Sequence, residues 1–108
     1  MESHIYLVDL VAGHRQIAGV PESDIERQLG DALGRRLLEL RSARGLTQEA
    51  LAHAAGIARN HYQLLEHGIN DRDKRSPANP TLSTLVGLSS ALGMTADQLV
   101  AEILAELS

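Results

Sequence analysis

Residues 41–68, RSARGLTQEALAHAAGIARNHYQLLEHG, carry the reading of the fold. Leu51 and Ala55 fall on one face of a first short helix, and Tyr62 and Leu65 on one face of a second. Ile57 sits at the bend between them, where it can plug the angle. Ala52 is small, as two helices crossing at close range require. Gly56 can take the positive φ of a sharp turn. Thr47 is placed to cap the first helix, with Glu49 favourable against its N-terminal dipole. The first helix ends at Gly56 and the second at Gly68. Ala58, Arg59, Asn60, Gln63, Leu64 and His67 remain for the outer side of the second helix.

Working outward, Ser23 and Glu26 have capping-box spacing after Pro21. Ile25, Leu29, Leu33, Leu37 and Leu40 then recur at near-helical spacing, which predicts a helix over about 22–44. Gly30 and Gly34 weaken its middle, so a break near Gly30 is compatible with the pattern. Gly45 is placed to stop it. Beyond Gly68, residues 69–80 (INDRDKRSPANP) predict a polar loop. A helix over about 81–92 follows, with Gly93 as its stop. Thr95 and Gln98 repeat the capping-box spacing at the start of a last helix, whose stripe is Leu99, Val100, Ile103, Leu104 and Leu107. At the other end, residues 4–12 (HIYLVDLVA) fit a strand or extended arm, and equally a segment packed on the helical body. The division is therefore an N-terminal extension over 1–21, available for dimerisation, and a helical domain over 22–108.

The chain has 108 residues, no Cys, Trp or Phe, and two tyrosines. That length suits one domain, and its Leu- and Ala-rich composition suits all-helical packing. Without cysteine there are no disulfides, thiol nucleophiles or thiolate zinc sites. No apolar run approaches a membrane span and no basic-then-apolar leader opens the chain, so a cytoplasmic protein is expected. The net charge of −4 conceals an asymmetry. Residues 31–80 hold eight cations and six acids, net +2, and the rest hold two cations and eight acids, net −6. An acidic body with a locally basic stretch can meet phosphate, with marked salt sensitivity.

Arg59, Asn60 and Gln63 form the informative group. Arginine pairs bidentately with guanine in the major groove, and asparagine or glutamine with adenine. These residues lie in the N-terminal half of their helix, which leads into the groove in this mode of docking. The alternative is that they are ordinary solvated polar residues. His53, His61 and His67 lack metal-ligand spacing and an acidic partner, and read as surface histidines. Neither a Ser-His-Asp pattern nor a phosphate loop is present, so neither an enzyme nor a cofactor is expected.

LGRRLLELRSARGLTQEALAHAAGI at 33–57, LLEHG at 64–68 and NPTLSTLVGLSSALGMTADQL at 79–99 together resemble the lambda-repressor/Cro-like (Xre-type) helix-turn-helix family. The resemblance covers roughly 31–100. It implies an all-α, five-helix DNA-binding domain acting as a homodimeric transcriptional regulator on double-stranded DNA. It also implies that Gln48 starts the first short helix and contacts phosphate, and that Arg41 and Glu66 form a structural salt bridge. Arg59, Asn60 and Gln63 then occupy the recognition positions. Arg44 is either a phosphate contact or a solvated helix-end cation.

Two residues depart from the family pattern. Ala58 stands where Ser or Thr usually caps the recognition helix. Leu64 stands at a position often polar or basic, where it could meet a thymine methyl, fill a partner interface, or mark a groove contact that has drifted. The loop after Gly68 is also longer than usual. Its Arg72, Lys74 and Arg75 either reach phosphates or belong to a mobile solvated insertion balanced by Asp71 and Asp73. The rival to DNA reading is a protein-interaction module or antitoxin that keeps the same fold.

Overall fold

The computed structural model describes residues 22–107. Five helices follow one another: α1 Glu22–Ala43, α2 Gln48–Ala55, α3 Arg59–Glu66, α4 Leu82–Ala91 and α5 Ala96–Ala105. No strand occurs among the described residues; the one extended pairing there is an isolated antiparallel bridge between Ile69 and Pro77. The arm or strand expected at residues 4–12 lies outside the described residues.

The local signals act where the sequence places them. The Thr47 hydroxyl accepts the Ala50 N–H at 3.0 Å and starts α2. Thr81 caps α4 in the same way, and Thr95 with Gln98 forms a reciprocal capping box on α5. Ala58 precedes α3 with no side-chain cap, as its methyl dictates. Gly56 adopts φ +78 and returns its N–H to His53 at 3.1 Å, which turns the chain from α2 toward α3.

The 22-residue α1 is unbroken, contrary to the break allowed at Gly30. Its two interior glycines mark crossings. A β-carbon at Gly30 would stand 2.8 Å from the Gly68 carbonyl oxygen, and one at Gly34 would stand 2.5 Å from that of Glu66. Each glycine costs helix propensity of about 1 kcal/mol. In return the end of α3 lies directly on α1. Gly87 does the same on α4, where a β-carbon would be 2.6 Å from the Ala55 carbonyl oxygen at the end of α2.

One core joins all five helices. Leu33 and Leu37 of α1, Leu51 and Ala52 of α2, Tyr62 and Leu65 of α3, Leu88 of α4, and Leu99 and Ile103 of α5 are buried in it. Ile57 packs against this core from the bend, as its position predicts.

The 69–80 loop is anchored at both ends rather than a free insertion. Ile69 and Ala78 are buried, Asn70 N–H donates to Ser76 at 2.8 Å, and Ala78 N–H donates to Gly68 at 2.9 Å. The Asp71 carboxylate accepts the N–H groups of Asp73 and Lys74 and so folds the tip.

Candidate nucleic-acid interface

The second helix of the α2–α3 pair presents its N-terminal end to solvent. Ala58, Arg59, Asn60 and His61 are exposed in succession, whereas Tyr62 and Leu65 anchor the opposite face. Gln63 and Leu64 are half-buried. Arg59 and Asn60 thus stand free at the leading end of α3, and Gln63 sits one turn further along, closer to α2. Leu64 is already partly covered within the domain.

Glu66, at the last turn of α3, organises the region behind this surface. Its carboxylate accepts from Arg41 Nε at 2.5 Å and Nη2 at 3.2 Å, from Gln48 Nε2 at 2.8 Å, and from the Tyr62 hydroxyl. Arg41 also donates to the Leu46 carbonyl at 2.9 Å, tying the α1–α2 turn to the same centre. The side chains of Arg41 and Glu66 are 15% and 7% exposed, so this is a shielded ion pair reinforced by further hydrogen bonds. Burial alone would push the Glu66 carboxyl upward. The hydrogen bonds from Arg41, Tyr62 and Gln48 outweigh burial and hold it below the ordinary glutamate range. Burial and the Glu66 carboxylate push the Tyr62 phenol upward, so the hydroxyl remains a donor.

The structure therefore brings Arg41 and Glu66 together in the pairing that the resemblance implies. It places Gln48 within the same network, linked to Glu66 on one side and to Gln63 on the other, where Gln63 Nε2 donates to Gln48 Oε1 at 3.2 Å. Tyr62 was legible only as a core residue. Its i, i+4 spacing to Glu66 was the signal that its hydroxyl could reach the carboxylate.

The cations separate into two sets. Arg35 bonds to Glu106 at 3.1 Å and Arg36 to Glu102 at 2.7 Å, fastening α1 to α5. With Arg41, three of the eight cations in the basic stretch are thus spent on the fold, and the Arg35 and Arg36 pairings join residues some seventy positions apart that no local spacing announces. Arg44 is exposed and donates to the Leu40 carbonyl at 3.1 Å. Arg72, Lys74 and Arg75 are exposed at the loop tip, and no ion pair among the described residues involves them, Arg44 or Arg59. Arg75 has φ +54, and its carbonyl accepts from Arg27 at 3.4 Å, so the tip leans on α1. His53, His61 and His67 are exposed, and no cluster of three potential metal ligands occurs among the described residues. No described helix is long and apolar enough to cross a membrane.

The pattern of the helix-turn-helix domain family matches residues 32–103. The chain belongs to this family, and within it to the lambda-repressor/Cro-like (Xre-type) class. Among solved structures, it is similar to the restriction-modification controller protein C.AhdI from Aeromonas hydrophila. The match has 33% identity and a TM-score of 0.54, over 65% of this chain and 94% of that one. A hypothetical transcription factor, NHTF, from Neisseria is 29% identical with a TM-score of 0.57, over 84% of this chain and 93% of that one. The clp gene regulator ClgR from Corynebacterium glutamicum shares the fold at 24% identity and a TM-score of 0.59, over 73% of this chain and 76% of that one. No curated protein matches the chain.

Proposed function

We propose that this protein is a sequence-specific DNA-binding transcriptional regulator that works in the cytoplasm as a homodimer and has no enzymatic activity. The observation that carries the reading is the leading end of α3. Arg59 and Asn60 project there from a short helix that Tyr62, Leu65 and the Glu66 network hold on the body. Base contacts fall to Arg59, Asn60 and Gln63. Phosphate contacts fall to Gln48, Arg44 and the loop cations Arg72, Lys74 and Arg75, which fix register without reading sequence. The likeness to C.AhdI, a controller protein by its description, supports a regulatory role.

Leu82 and Val86 favour a second reading. They are 75% and 52% exposed one turn apart on α4, as an apolar contact face of an interaction module would be. Titration of random duplex DNA at low and moderate salt separates the two. A charge-driven DNA binder loses affinity steeply as salt rises, and an interaction module does not bind. Selection of sites from a random pool then tests sequence reading. Recovery of paired half-sites at fixed spacing supports a dimer, and recovery of single sites speaks against one.

A further inference from the structure

We infer that an apolar groove between α1, α4 and α5 is the seat of this chain's own N-terminal segment, residues 5–11 (IYLVDLV), which completes the core of the domain that follows it. The groove has a volume of about 430 Å³. Its floor is the buried Leu33 and Ile103, and its sides are the half-buried Leu29, Leu85, Val100 and Leu104. The pinned 76–80 stretch of the loop forms one rim. On α5 the apolar stripe is wider than the core uses. Leu99 and Ile103 are buried, whereas Val100 and Leu104 beside them are left half-covered. A stripe of that width fits a helix with one more element packed on it.

Pattern, reach and charge select the occupant. Residues 5–11 carry one charge, Asp9. Extended, the segment sets Tyr6, Val8 and Leu10 on one face; helical, it sets Leu7, Leu10 and Val11 together. Both arrangements keep Asp9 off the apolar face. Residues 12–21 connect the segment to α1, and ten residues span up to about 33 Å. The stretch of α1 from Glu22 to Leu33 is only about 17 Å long, and Glu26, one turn into the helix, already lies on the groove's edge. Gly13, Gly19 and Pro21 suit a connection that doubles back. Arg15 is its one formal charge, and it would pass the exposed carboxylates Asp24 and Glu26. A tether this short holds the segment at an effective concentration of about millimolar, which a second copy in solution must exceed to displace it. A segment held this way is not available as a dimer contact.

The test uses the full chain, methyl-labelled for NMR. Nuclear Overhauser contacts should join methyl groups of residues 5–11 to those of Leu29, Val100 and Leu104. An isotope-filtered experiment on a mixture of labelled and unlabelled chains should not show them, because they arise within one chain. Leu7→Asp and Leu10→Asp leave the helical domain's own sequence intact, and circular dichroism verifies that it folds. Each should abolish the contacts, and each should lower the thermal midpoint by about 4–8 °C, equally at low and high protein concentration. Val100→Asp and Leu104→Asp, made on the groove side, should abolish the same contacts. Wild type without contacts between the segment and the groove overturns the inference. Contacts that appear in the filtered experiment assign the groove to a second copy and overturn it as well, as does a thermal midpoint unmoved by both segment variants.

Discussion

A β-carbon on Gly34 would stand 2.5 Å from the carbonyl oxygen of Glu66, well inside van der Waals contact, and the neighbouring Leu65 carbonyl oxygen would be 3.0 Å away. Both obstacles are backbone of α3 and cannot rotate aside. In an open helix, Gly→Ala gains about 1 kcal/mol of propensity. At this crossing the overpacking cost of about 1–3 kcal/mol or more opposes it. Gly34→Ala is expected to lower the stability measured by urea denaturation, although propensity alone predicts a gain. A stabilised variant would show that α3 can ride up on α1.

The Glu66 centre makes stability depend on acid. The hydrogen bonds that outweigh burial hold its folded pKa below the ordinary 4.5, so the folded state binds this proton less readily than the unfolded chain. The contribution is fully present above the unfolded value and is lost as pH falls through the lower folded value. Urea midpoints should therefore drop below about pH 4.5. Glu66→Gln should be less stable at neutral pH and lack this part of the acid dependence. Truncation by Glu66→Ala leaves the Arg41 guanidinium shielded and unpaired, at a cost of about 3–5 kcal/mol.

Base readers and phosphate binders should separate in titrations. Arg59→Ala and Asn60→Ala are each expected to cost about 1–3 kcal/mol on the selected site and to relax one base position. Arg44→Ala should weaken binding alike on all sequences and reduce the slope of log affinity against log salt by about 1. If Arg59→Ala lowers affinity for random and selected DNA equally, Arg59 contacts phosphate rather than a base.

Arg75 permits stability and binding to be uncoupled. Its φ of +54 is left-handed, a conformation that costs a side-chain-bearing residue about 1–2 kcal/mol and glycine almost nothing. Its contact with Arg27 is made by the backbone carbonyl and survives substitution. Arg75→Gly is therefore expected to leave thermal stability unchanged or slightly raised, while lowering the salt dependence of DNA binding. A loss of stability would mean that the Arg75 side chain itself holds the loop.

How much was legible in advance follows from the range of each signal. Thr47, Thr81 and Thr95 cap helices through N–H groups three residues away. Gly56 turns the chain through its own φ, and the leucine spacing on α1 names the buried face before any partner is known. Arg41 and Glu66 were legible as a pair only through family resemblance, since 25 residues separate them. Gly30 and Gly34 show the opposite case. Read locally they weaken a helix, and only the arrival of Gly68 and Glu66 against them shows why no other residue fits.

The sequence by itself determined where helices start and stop, which faces are apolar, and that Arg59 and Asn60 would lie on the outer side of α3. These depend on contacts within about one helical turn, where geometry is set by the chain itself. Tertiary structure alone decided that Arg35 and Arg36 bind α5 and that the 69–80 loop is pinned at both ends. It also decided that Gln63 is held by Gln48. Hydrogen-bond polarity and ion pairing depend on which groups meet across packed helices. That is settled only when the core brings distant segments within about 3 Å of one another.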